Sequence, residues 1–87
     1  MLRVKKEVDL KELEKFGFKF NEYYNEWKCE TEDSWETLVI DNKSRCIRFE
    51  VSNINVRPVW DYFATLEDNL HILFDLIQAG LVEKVGE

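Results

Sequence analysis

Little in these 87 residues is special-purpose. There are two cysteines, one histidine, one proline and three isolated glycines. A single histidine removes most histidine-based catalytic arrangements, and Gly17, Gly80 and Gly86 are too scattered to form a phosphate-cradling loop. Cys29 and Cys46 allow at most one disulfide and lack four-ligand zinc spacing. The longest apolar runs are three residues, such as Leu38-Val39-Ile40 and Ile72-Leu73-Phe74, so no segment can span a bilayer. The charged start MLRVKKEVD does not read as a secretory signal, and the expected setting is cytoplasmic, with both thiols reduced.

Positive charge is scarce where a nucleic-acid binder would need it. The net charge is −6, and residues 50–87 hold seven acids against two bases. Affinity for phosphate backbones and for anionic membrane surfaces rests on lysine and arginine, so neither partner is expected. What the chain has in quantity is apolar and aromatic side chains, at 45% and 14%. That suffices for one domain over residues 1–87, burying ~60–65% of its unfolded surface.

The local grammar predicts an α+β domain. Residues 1–6 alternate weakly, as in a short edge strand. In VDLKELEKFGFKF, Asp9 is a helix N-cap and Glu12 completes a capping box, with Val8 and Leu13 as its hydrophobic staple. Gly17 takes the left-handed stop, and Phe18 folds back on Leu13, giving a helix near 10–16. Alternation and turn residues then predict an antiparallel sheet of about four strands near 18–21, 26–30, 35–40 and 45–51. In the last strand Ile47, Phe49 and Val51 point inward, and Cys46, Arg48 and Glu50 outward. Residues 52–64 are too apolar for a free loop and are expected to cross the molecule and pack partly on the core.

A second helix near 66–79 starts at the Thr65 cap and stops at Gly80. Leu66, Leu70, Leu73, Phe74 and Ile77 make its buried stripe, widened by Ile72 and Leu76. LVEKV after it reads as a last short strand. Both helices are expected on one face of the sheet, each feeding one of its strands.

Three chemical readings are outweighed by plainer ones. DLIQAGLVEKV is worded like a winged-helix junction, but residues 66–79 contain no lysine or arginine, and only seven residues follow Gly80. Glu67, His71 and Asp75 share one helix face at i, i+4, i+8, and a solvated face accounts for them without a metal. Cys46 lies near Arg45 and Arg48, which would favour a thiolate, yet no partner base is in sight. No cofactor, metal or catalytic residue is therefore expected, and the chain does not read as an enzyme.

The aromatics point elsewhere. Tyr23, Tyr24, Trp27 and Trp35 cluster around the first hairpin, and Trp60 and Tyr62 follow later. The neighbouring acids Glu22, Glu26, Glu30, Glu32, Asp33 and Glu36 would repel a nucleic-acid strand. Tyr23, Tyr24, Trp60 and Tyr62 are the candidates for contact with a protein partner or a second copy of the chain, since tyrosine and tryptophan are enriched in interface hot spots. A rival reading is an acidic decoy that occupies a nucleic-acid site on a host enzyme, motivated by the acid excess of residues 50–87.

The two segments VDLKELEKFGFK and DLIQAGLVEKV resemble the ends of small proteins carried by phages and integrated elements of Gram-positive bacteria. The resemblance implies a bacterial cytoplasm and a mobile genetic element as context. It brings no activity and no functional residue with it.

Overall fold

A computed structural model of the chain describes residues 1–30, 36–51 and 70–86. Its elements are β1 (Leu2–Val4), a 3-10 helix (Leu10–Phe16), β2 (Lys19–Asn21), β3 (Glu26–Glu30), β4 (Glu36–Asp41), β5 (Ile47–Val51), a C-terminal helix seen over residues 70–78, and β6 (Val82–Lys84). The four middle strands form an antiparallel meander in the order β2-β3-β4-β5, which makes the fold α+β as expected. The Thr65 cap, Leu66, Glu67 and the segment 52–64 lie outside the described residues.

The core is written in the strand register. Phe20 pairs with Trp27, Trp27 with Ile40 and Ile40 with Ile47; Cys29 pairs with Leu38 and Leu38 with Phe49. Period-two alternation puts these side chains on one face of the sheet. Val4, Leu13, Phe18 and Leu76 join Trp27, Cys29, Leu38 and Ile40 in one buried cluster, so β1 and both helices contribute to the layer over this face. Each such leucine, isoleucine or phenylalanine stabilises by about 1.5–3 kcal/mol relative to an exposed one.

The opposite face is not simply wet. Val39 is also fully buried there, with Lys28 and Arg48 beside it on the neighbouring strands. The Arg48 guanidinium reaches across β4 to the buried carboxylate of Glu26 and also binds Glu50 at 2.7 Å. Lys28 stands 3.9 Å from Glu26. The expected outward placement of Arg48 and Glu50 thus serves an ion-paired strap over the middle strand.

Both helices end in the same way. Gly17 has φ 91°, its N–H donates to Glu14 O, and the Phe18 N–H donates to Leu13 O. Gly80 has φ 77°, its N–H donates to Ile77 O, and the Leu81 N–H donates to Leu76 O. These are two Schellman stops, each folding an apolar residue back over the last turn. The first helix has 3-10 geometry. Only seven residues lie between the Asp9 cap and the glycine, and i→i−3 bonds such as Glu12 N–H to Asp9 O serve so short a turn. The capping box is half made: Asp9 accepts from the Lys11 N–H, but Glu12 pairs with Lys15 at 2.8 Å instead of turning back.

Three expectations need correction. The helices do not feed one sheet: the second leads into β6, which pairs with β1 as a separate two-stranded sheet. An Arg3–Glu83 ion pair of 2.7 Å sits across that pair of strands. Among the described residues, a bridge of Arg3 to Cys46, the Val4 N–H donated to Arg45 O and the Arg45 guanidinium on Lys5 O and Val8 O join it to the meander. Second, the last strand of the meander begins at Ile47, because Arg45 is a loop residue with φ 67°. Third, the C-terminal helix is turned. Leu76 is fully buried and Ile72 and Leu73 partly so, whereas Leu70, Phe74 and Ile77 are 47%, 57% and 48% exposed. Six of the nine residues 70–78 are apolar, more than one buried stripe holds, and the fold-back of Leu81 onto Leu76 fixes which side goes in.

Candidate interaction surface at the first hairpin

Residues 22–25 connect β2 to β3, and Tyr23 and Tyr24 stand out from this loop at 87% and 60% exposure. The loop is nonetheless held. Asn21 Oδ1 accepts the Tyr24 N–H at 3.1 Å, and Asn25 takes the left-handed conformation, φ 56°, that returns the chain to β3. Asparagine tolerates that conformation better than most residues. The two rings meet edge to face at 4.8 Å between centroids, and the Lys28 ammonium lies 4.9 Å from the centre of the Tyr24 ring.

The loop leans on its counterpart between β4 and β5. The Asn42 N–H donates to Asn25 O at 3.1 Å, and Asn42 Nδ2 donates to Asn25 Oδ1 at 3.0 Å. The buried Trp27 indole N–H donates to Asn42 Oδ1, also at 3.0 Å. The second loop repeats the first in form, with Asp41 in the place of Asn21 and Arg45 in that of Asn25. Asp41 Oδ2 accepts the backbone N–H of Lys43 at 3.0 Å and of Ser44 at 2.6 Å. Neither asparagine was a sequence-level candidate; the signal available was only that both lie in turns.

No family model, curated protein or solved structure matches this chain. Of the four residues expected at a partner contact, Tyr23 and Tyr24 are together and exposed, while Trp60 and Tyr62 lie outside the described residues. Trp27 is core.

The residues of the chemical alternatives that are described stand as follows. Among the described residues no three histidine, cysteine or carboxylate side chains converge as a metal-binding group. Cys29 is buried, donates weakly to Phe16 O at 3.7 Å, and has its thiol pKa pushed up by burial, the wrong direction for a nucleophile. Cys46 is free and half-buried, with Sγ 3.3 Å from Met1 Sδ. The two guanidiniums expected to activate it are engaged elsewhere, Arg45 by backbone carbonyls and Arg48 by Glu26 and Glu50. His71 and Asp75 are on the exposed side of the helix.

The bracing of the second loop has a pH signature. The backbone N–H of Ser44 holds the Asp41 carboxyl below its usual range, aided by Lys43 and Arg48 against some desolvation. A depressed folded-state pKa stabilises fully above the ordinary aspartate value, and the benefit is lost as pH falls through the depressed value. Asp41→Asn is expected to cost about 0.5–1 kcal/mol at neutral pH, the low end because the group is partly open to solvent. The gap to wild type should close in acid. Urea unfolding at a series of pH values checks this, and a gap independent of pH would refute it.

Proposed function

We propose that this chain is a non-catalytic protein-interaction module that engages a protein partner through the Tyr23–Tyr24 hairpin. The supporting observation is a pair of exposed tyrosines on a loop that Asn21, Asn25, Asn42 and Trp27 hold in place. Ordered aromatic side chains add contact area with little loss of conformational freedom on binding, which is why they dominate hot spots. A bacterial cytoplasm and a phage or integrated element are the context we propose, in keeping with the resemblance of the chain ends. The decoy reading has less to work with: of the acids in residues 50–87 that are described, Glu50 and Glu83 are already paired with Arg48 and Arg3.

The test is differential capture from host lysate with the wild-type chain and the double variant Tyr23→Ser/Tyr24→Ser. A specific partner should be retained by the wild type and reduced at least about tenfold by the variant, matching the loss of a hot spot. The unfolding midpoint should not move, because neither ring is buried. Equal capture by both chains, or a partner lost at moderate salt irrespective of the tyrosines, would count against the hairpin.

A further inference from the structure

We infer that the protein partner of the hairpin presents an acidic segment, with its carboxylates seated at Lys19 and Lys28 and an apolar neighbour against Tyr23 and Tyr24. The inference rests on the reading of the hairpin as an interaction surface and names the chemistry of what it takes. Lys19 on β2 and Lys28 on β3 are directly opposite in the strand register. Residues so paired point to the same face, close enough to repel when their charges are alike. The two lysines therefore work against the fold that brings them together. Lys19 is exposed and makes no ion pair with a described residue. β2 is the outer strand of the meander, so a segment can approach Lys19 from beyond the sheet edge without displacing a described strand.

Lys28 is held in place without being saturated. Its ammonium lies 4.9 Å from the centre of the Tyr24 ring and 3.9 Å from Glu26 Oε1, beyond hydrogen-bond distance. The Glu26 carboxylate is bound more closely by Arg48. An ammonium has three N–H donors, and neither contact fills one with a strong acceptor. The ring thus positions a cation that can still donate to an incoming carboxylate. It also sets that cation beside the tyrosine pair, whose 87% and 60% exposure leaves aromatic surface open next to it. The charge balance decides the class of partner. The charged side chains of residues 19–28 are Lys19, Glu22, Glu26 and Lys28. Glu26 is buried and taken by Arg48, which leaves two cations against Glu22. So small an excess suits one or two carboxylates. It does not suit a nucleic-acid strand, whose affinity is the sum of many phosphate contacts. A basic segment would meet Lys19 and Lys28 as repulsion.

The experiment is selection of peptides from a random display library on the wild-type chain. The enriched peptide is then titrated against the wild type, Lys19→Glu, Tyr23→Ser/Tyr24→Ser and the control Lys84→Glu, which makes the same charge change on β6. Enriched peptides should carry aspartate or glutamate beside an apolar residue. Lys19→Glu and the tyrosine variant should each bind them at least about tenfold more weakly, and Lys84→Glu should bind as the wild type does. The unfolding midpoint of Lys19→Glu should not fall, because the substitution turns opposed like charges into opposed unlike ones. Peptides that need the tyrosines but lack acids, or that bind Lys19→Glu like wild type, overturn the acidic partner and leave the hairpin standing. A Lys19→Glu chain that loses binding only because it loses stability overturns it too. So does a selection that yields no tyrosine-dependent peptide, whereas the hairpin itself stands or falls by the lysate capture. Lys19-dependent binding of a mixed-sequence single-stranded oligonucleotide, with no acidic peptide enriched, overturns it in favour of a phosphate backbone.

Discussion

Leu76→Ala is expected to lower the free energy of unfolding by about 3 kcal/mol, whereas Phe74→Ala, two residues away, changes it by less than about 1 kcal/mol. On hydrophobicity alone the order would be reversed, because phenylalanine is the larger side chain. The structure sets it the other way. Leu76 is fully buried in the cluster with Leu13, Phe18 and Leu38, while Phe74 is 57% exposed. Truncating Leu76 loses its transfer free energy and leaves a cavity that the sheet on one side cannot fill. It also removes the surface onto which Leu81 folds when the helix stops at Gly80, so β6 loses part of its anchorage. Chemical unfolding of the two variants measures the difference. Equal losses would mean that the helix is rotated from the orientation described.

That rotation marks the boundary of what the sequence discloses. Helix stops were legible because their cause is local: a glycine at positive φ, and an apolar residue just beyond it whose N–H bonds back five positions. The hairpins were legible for the same reason, since Asp41, Asn25 and the alternation in Ile47–Val51 act over a few residues. The facing of the C-terminal helix was not. With six apolar residues among nine, the sequence offers two overlapping stripes, and only the packing of Leu76 under the sheet selects one. The pairing of β1 with β6 was equally hidden, because two three-residue strands about eighty positions apart carry no mutual signal. As for the surface, a turn-like stretch suggested that Tyr23 and Tyr24 would be exposed. The Asn25–Asn42–Trp27 hydrogen bonds that steady them join segments far apart in sequence and had no local mark.

Arg45 carries the other large expected effect, and its role comes from a conflict between local and tertiary preference. A residue at φ 67° ending a hairpin loop would ordinarily be glycine or asparagine. Arginine is kept there at a cost of about 1 kcal/mol in backbone strain. In return its Nη1 donates to Val8 O at 2.6 Å and to Lys5 O at 2.7 Å, and its own carbonyl accepts the Val4 N–H at 2.9 Å. Hydrogen bonds from a charged donor contribute about 1.5–3 kcal/mol each when partly shielded, less where water can replace the donor. Arg45→Ala is therefore expected to cost about 2–3 kcal/mol, retaining the strain while losing the guanidinium. Arg45→Gly loses the same bonds but relieves the backbone, and should be about 1 kcal/mol less destabilising than the alanine variant. Because these contacts fasten the β1–β6 pair to the meander alongside one bridge, the loss should be regional. Amide exchange at Val4, Lys5 and Val85, whose N–H groups bond to Arg45, Leu81 and Met1, should quicken more than at Leu38 or Ile40 in the middle of the sheet. Uniform quickening across the molecule would instead assign Arg45 to the global core. Equal stability of the alanine and glycine variants would remove strain from the account and leave the carbonyl clamp to explain the whole effect.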